Sequence, residues 1–263
     1  MLLEARNLTI VAGSRVLLRH LDWTVSAGQC WCVIGRNGAG KTTLLRHLAG
    51  LAQPQSGSIL IRQREVSDWS LTDLARVRSF LPQGRNDAFA YRAIDTVLAA
   101  RHPYHDGQYW ESAADRESAL TAMAALDVAD LAERDVRSLS GGERQRVALA
   151  AQLAQDAQCM LLDEPATGLD LSHQIGVMRL IALRCAEQGK AVVLTSHDLN
   201  LAVRYATHAL LIMPDGEWLA GPAQQTMQSD TLSRCLDYPL QAVEHAGQTL
   251  FLPKLATGAT ELT

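Results

Sequence analysis

Short apolar runs recur along the N-terminal part of the chain at Leu8–Val11, Leu21–Val25, Cys30–Ile34 and Ser58–Ile61. Each has strand length and is bounded by polar or turn residues, so together they predict an N-terminal β layer. Further on, Arg78–Leu81, Met160–Asp163, Ala191–Ser196 and Ala209–Met213 alternate with helix-length segments. Runs that are apolar at nearly every position suit strands buried on both faces, which predicts a mostly parallel sheet between helices. From Gln83 to Gln158 the strand pattern stops, and Asp115–Leu126 and Glu143–Leu153 show apolar residues at helical spacing. The reading is one α/β unit: residues 1–82 and 159–225 as the core with its antiparallel β layer, 83–158 as an inserted α-helical subdomain, and 226–263 as a tail. The tail carries Pro239, Pro253 and a strand-like stretch at Gln248–Leu252.

Composition bounds the function without naming it. The chain has 263 residues, 48% hydrophobic and 20% charged, which is globular and excludes disordered or collagen-like polypeptides. A net charge of −4 lacks the basic face of a nucleic-acid binder, so no nucleic-acid partner is expected. No apolar run approaches the ~18 residues of a membrane span, and Glu4 stands where a signal peptide carries basic charge, so a cytoplasmic location is expected. Five scattered cysteines, Cys30, Cys32, Cys159, Cys185 and Cys235, read as reduced core residues, since Cys30-Trp31-Cys32 has no second pair to complete a zinc site.

The strongest chemical signal is Gly35-Arg36-Asn37-Gly38-Ala39-Gly40-Lys41-Thr42, a complete G-x-x-x-x-G-K-[ST]. It follows the strand Cys30–Ile34 and opens a helix through Thr43, the context that a phosphate-binding loop requires. Glycines let successive N–H groups converge on one point, and the helix N-terminus adds its positive dipole end. Lys41 supplies a point charge to the β- and γ-phosphates and Thr42 a hydroxyl for Mg²⁺. The chain has only two other lysines, Lys190 and Lys254, so an incidental lysine in a glycine-rich turn is a poor explanation. The core is therefore expected to be a P-loop NTPase fold.

Cys159–Leu162 runs into Asp163-Glu164, a buried strand ending in two acids. Alone, this is also what a solvated strand end looks like. Beside a phosphate loop, Asp163 suits Mg²⁺ and Glu164 the water that attacks the γ-phosphate. Leu139-Ser140-Gly141-Gly142-Glu143 has Ser140 as N-cap and Glu143 closing a capping box, which sets a second glycine-preceded helix N-terminus in the chain. A capped helix and nothing more would be equally stable.

With that segment the sequence resembles the ATP-binding subunits of ABC transporters, whose signature is Leu-Ser-Gly-Gly-Glu/Gln. The resemblance runs from Leu2 to beyond Met213, with the motifs in the family's order. It implies that Gln83, in Phe80-Leu81-Pro82-Gln83, touches metal and attacking water. It implies that Asp170, in Thr167-Gly168-Leu169-Asp170, lies at a dimer seam, and that His197, in Thr195-Ser196-His197-Asp198, bonds the γ-phosphate. It also implies a head-to-tail homodimer in which Ser140, Gly141 and Gly142 serve the partner's ATP, while Lys41, Thr42, Gln83, Asp163, Glu164 and His197 serve their own. One departure is Ala12, in Val11-Ala12-Gly13, where the family usually has an aromatic residue against adenine. Loose base recognition and weak discrimination between ATP and GTP are expected.

Three classes compete: a transporter motor, a non-transport ABC protein of translation or repair, and an unrelated phosphate-loop kinase. Translation-type relatives carry two ATPase units, repair-type relatives a coiled coil between phosphate loop and signature for which Lys41 to Ser140 leaves no room, and kinases lack the signature. The motor reading remains. Ala100-Arg101-His102-Pro103-Tyr104, Ser196-His197-Asp198-Leu199-Asn200 and Tyr238-Pro239 with Gln248–Pro253 resemble the ATPases of importers for iron chelates, haem and cobalamin. That resemblance implies two transmembrane permease subunits docking on loops between Gln83 and Tyr109. It further implies a periplasmic binding protein acting indirectly and a place on the cytoplasmic side of the inner membrane. His102 and His105 are expected to be surface histidines near that contact.

Overall fold

The structure, a computed structural model, describes residues 1–84, 89–105 and 111–254. The chain begins with β1 (Leu3–Ala12), β2 (Arg15–Val25) and β3 (Cys30–Ile34), followed by α1 (Lys41–Leu48), β4 (Ser56–Ile61), β5 (Arg64–Glu65), α2 (Leu71–Val77) and β6 (Arg78–Leu81). Then come α3 (Ala93–Ala99), α4 (Ala113–Ala124), α5 (Gly141–Gln155), β7 (Cys159–Leu162), α6 (Leu171–Gln188), β8 (Ala191–Thr195), α7 (Leu199–Tyr205), β9 (His208–Ile212) and β10 (Trp218–Pro222). It closes with α8 (Ala223–Thr226), α9 (Ser229–Leu236) and the hairpin β11 (Leu240–His245) and β12 (Gln248–Pro253).

The central sheet has the order β10-β9-β3-β8-β7-β6 and is parallel except for β10 at its edge. Its central strands β3, β8 and β7 are buried at every position because both faces are covered. Cys32, Met160, Leu162, Val192, Leu194 and Leu211 point into one core with α5 and α6, while Trp31, Val33, Leu161, Val193 and Leu210 point into the other with α1 and the antiparallel layer. That layer has the order β2-β1-β4-β5. Its first two strands are longer than the apolar runs alone suggest, because exposed polar residues such as Arg6, Arg19 and His20 alternate with buried ones. The P-loop NTPase fold expected from the sequence is the fold found.

The register decides where the site lies. Cys32 of β3 pairs with Leu194 of β8, Leu194 with Leu162 of β7, and Leu162 with Leu81 of β6. Four strands thus end level at one edge, and the residues after each emerge side by side at the carboxyl ends, where ligands of open α/β sheets bind. Between β6 and β7 the chain leaves the sheet for α3, α4 and α5, which pack on one another.

A knot of buried polar groups ties this helical excursion together. Arg101 Nε donates to Asp115 Oδ1 at 2.9 Å, Arg101 Nη1 to Ala154 O at 2.9 Å, and the Tyr104 hydroxyl to Gln155 O at 2.8 Å. His105 lies in the knot, 3.3 Å from Asp115 and largely buried, so of the two histidines expected at the surface only His102 is there. All five cysteines are buried and unpaired, and burial pushes Cys32 and Cys159 up to about 12, which keeps them neutral thiols.

Candidate functional site

The phosphate loop joins β3 to α1. Gly40 has φ +101° and caps the helix, and a Cβ there would lie 3.0 Å from Leu17 Cβ, so only glycine fits both the conformation and the space. At Gly35 a Cβ would lie 3.0 Å from Ala39 Cβ and 3.2 Å from Ile212 O. Lys41 is only 7% exposed, and its Nζ donates to Gly35 O at 2.8 Å and Arg36 O at 3.2 Å. Burial lowers its pKa, and the nearby Glu164 and Asp163 oppose that shift. The first turn of α1 contains no acid, leaving the dipole end free to attract an anion.

Beside the loop, β7 ends in the two acids. Asp163 is 1% exposed; its Oδ1 accepts from Thr195 Oγ1 at 2.7 Å, and its Oδ2 is buried with no hydrogen-bond partner. The same Thr195 oxygen accepts from Glu164 N at 2.8 Å, so one hydroxyl of β8 fixes both acids. Glu164 holds a left-handed backbone, φ +51°, uncommon for a non-glycine residue and a mark of functional sites. Its Oε1 lies 2.6 Å from His197 Nε2 and its Oε2 accepts from Thr167 Oγ1 at 3.1 Å. Gln145 of α5 donates to Pro165 O at 3.0 Å, holding the turn from below.

One cleft of about 580 Å³ brings these elements together. It is lined by Asn37, Gly38, Gly40, Lys41, Thr42 and Thr43 of the phosphate loop and α1, by Gln83, Glu164 and His197, and by Ala12, Arg15 and Leu17 of the β layer. No Phe, Tyr or Trp side chain lines it among the described residues. Asp163 lies under this cleft, while Arg36 turns away from it onto Asp237 at 2.6 Å and Ala39 is buried beneath the loop. The orphaned Asp163 Oδ2 and the Thr42 hydroxyl are hard oxygen donors that suit Mg²⁺. No group of three or more His, Cys, Asp or Glu side chains placed to hold a metal occurs among the described residues.

Ser140, Gly141, Gly142 and Asp170 lie outside this cleft. Ser140 Oγ accepts from Glu143 N at 3.2 Å and Glu143 Oε2 from Ser140 N at 2.7 Å, the capping box of α5. A Cβ on Gly141 would meet open space, whereas one on Gly142 would lie 3.5 Å from Gly168 O. Asp170 caps α6 by accepting from His173 N at 2.9 Å, which with the His173 and Ser172 side chains depresses its pKa to about 2. Sequence reasoning missed Thr195, although a hydroxyl ending an apolar strand two residues before His197 was its signal. It also missed Arg15 and Leu17, which carry no motif.

A phosphate loop after β3, paired acids after β7 two places along the sheet and a cleft between them define a nucleoside-triphosphate hydrolase. Residues 18–167 match the family model described as ABC transporter. The hemin import ATP-binding protein HmuV of Rhodococcus jostii is 37% identical over 96% of this chain and 86% of its own. The petrobactin import ATP-binding protein FpuD of Bacillus anthracis is 36% identical over 86% and 82%. Among solved structures, one described as an inward-facing metal-chelate type ABC transporter aligns with TM-score 0.84 and 29% identity over 97% of this chain and 98% of that one. A dimeric ATP-binding cassette in a post-hydrolysis state with ADP and phosphate aligns with TM-score 0.73 and 25% identity, covering 84% and 98%. The chain belongs to the ABC transporter family, as an ATP-binding, ATP-hydrolysing subunit.

Proposed function

We propose that the chain powers import of a metal chelate, with haem or an iron–siderophore complex as cargo and cobalamin in the same chemical class. The relatives named for hemin and petrobactin import support this reading. No helix among the described residues is long and apolar enough to cross a membrane. On this importer reading the subunit works with two permease subunits on the cytoplasmic side of the inner membrane, and a periplasmic binding protein delivers cargo. The exposed Phe89 and Tyr91, with ring centroids 6.1 Å apart, offer the permease an aromatic foothold. Tyr109, at the other end of the expected docking loops, lies outside the described residues.

Within the subunit, residues 1–82 and 159–225 act as the catalytic core, 83–158 as the helical arm carrying the signature, and 226–263 as the tail. Loop N–H groups and Lys41 bind the phosphates. Thr42, Asp163 and Gln83 would hold Mg²⁺, which would supply positive charge against the phosphate oxygens. Glu164 accepts a proton from the attacking water; Gln83 orients that water; His197, now on Glu164 Oε1, is within the cleft that the γ-phosphate enters.

The observation that carries the quaternary reading is that Ser140, Gly141 and Gly142 present a capped helix N-terminus away from their own cleft. They have an anion to serve only on a second copy, packed head to tail, so ATP bridges two subunits and hydrolysis releases them. The test is a pair of variants. Glu164→Gln is expected to bind ATP, lose turnover and accumulate as a dimer by size-exclusion chromatography. Ser140→Arg is expected to bind ATP as a monomer yet lose ATPase activity in the assembled transporter; parental activity would overturn the shared site.

A further inference from the structure

The chain after β10 returns to the back of the catalytic core and touches it at two places. At the first, Cys235 of α9 is fully buried, with Sγ 3.6 Å from Ile34 O and 3.4 Å from Ile212 O, and Ile34 immediately precedes Gly35. Burial pushes this thiol up to about 11, so it serves those carbonyls as a neutral donor. Two residues on, Asp237 ends α9 in a left-handed turn, φ +53°, and accepts from the Arg36 guanidinium at 2.6 Å. The end of α9 is thereby fastened to the last residue of β3 and to Arg36, the second residue of the phosphate loop.

At the second place, the β11–β12 hairpin packs against α7, with Phe251 buried. The Phe251 amide donates to Asn200 Oδ1 at 2.8 Å. Asn200 lies in the first turn of α7, whose N-cap Asp198 accepts from Asn200 N at 2.8 Å and Leu201 N at 2.9 Å. His197 is the residue before that cap. Its side chain is 48% exposed and its described polar contact is the one with Glu164, so its direction is set by where the first turn of α7 sits. That helix has seven residues, too few to hold a position by itself, and it is seated between α6 and β12.

We propose that α9 and the terminal hairpin form a strap joining the phosphate loop to the His197 segment, with Asn200 as the positioning residue that aims His197 at Glu164. The inference rests on the roles given above to His197 and Glu164. The strap fastens both elements that a γ-phosphate must reach together, so releasing it at Asn200 alone misplaces the imidazole while the Asp237–Arg36 contact on the phosphate loop stays in place. Small errors of placement in such a pair cost rate more than affinity.

The test uses the full chain at a temperature where every variant is folded by circular dichroism. Asn200→Ala removes the acceptor, and kcat is expected to fall about three- to tenfold, the equivalent of roughly one hydrogen bond, with the KM for ATP within about twofold of parental. Asn200→Asp keeps an acceptor oxygen and is expected to restore kcat. Adding Asn200→Ala to His197→Ala is expected to change the residual single-turnover rate little, because the two act through one group. Parental kcat in Asn200→Ala, or a KM that rises as kcat falls, would overturn the strap. Parental turnover in His197→Ala would instead remove the role given to His197 and leave the strap without its target.

Discussion

The hydroxyl of Thr195 donates to Asp163 Oδ1 at 2.7 Å and accepts the Glu164 amide at 2.8 Å. It sits at the end of β8, fully buried, and binds the two acids that follow the neighbouring strand β7, to which different tasks are proposed. Leu162 and Leu194 are register partners, which is what sets Thr195 beside them.

Thr195→Val keeps the shape and removes both bonds, leaving a buried carboxylate oxygen and a buried amide unsatisfied, at about 1–3 kcal/mol each. The melting temperature is expected to fall, and kcat with it, since both acids are freed. Thr195→Ser retains the hydroxyl and is expected to recover most of both. Thermal melts and steady-state ATPase assays of the two variants check this, and a Val variant with parental kcat would remove the hydroxyl from the machinery.

Ala12 is exposed at the tip of the β1–β2 hairpin and lines the open end of the cleft with Arg15 and Leu17. Without a ring to stack on, the base contributes little, so ATP is expected to bind less than about a hundredfold more tightly than GTP. Ala12→Tyr supplies an aromatic face and is expected to tighten ATP binding by about 0.5–1.5 kcal/mol, roughly two- to tenfold. Fluorescent-nucleotide displacement by ATP and by GTP measures both effects.

Asp115 is buried in the helical arm, where the Ser112 hydroxyl and then Arg101 hold its carboxyl far below the usual carboxylate range. A folded-state pKa below the unfolded one contributes stability above the unfolded value, near ~3.9, that is lost as pH falls toward the folded pKa. Melting temperatures recorded downward from about pH 5 are therefore expected to fall less steeply for Asp115→Asn than for the parent. The variant is less stable at neutral pH, and the two curves converge in acid. Parallel curves would mean that Asp115 does not titrate with unfolding.

Much of this was legible before any fold was known, for reasons that differ by residue. The phosphate loop is legible because its work is local: glycines at Gly35 and Gly40, a strand before and a helix after lie within a dozen residues. The capping box of Ser140 and Glu143 is local in the same way, and α5 begins where it predicts. The parallel strands are legible because burial on both faces removes polar residues from them. The exposed strands β10 and β11 show no such pattern, and neither was anticipated. His105 was misjudged because its burial depends on Asp115, which is remote from it in the chain's local pattern.

By itself, then, the sequence determined which residues are candidates for the chemistry, because phosphate cradles, caps and apolar strands are set by neighbours along the chain. Only the tertiary structure decided who meets whom. Strand register makes Thr195 the common partner of Asp163 and Glu164, and the return of α9 sets Asp237 on Arg36. The signature of Ser140, Gly141 and Gly142 is turned outside its own cleft by the packing of α5. Such long-range pairings follow from side-chain packing across the whole core, which leaves no periodic trace in any one segment.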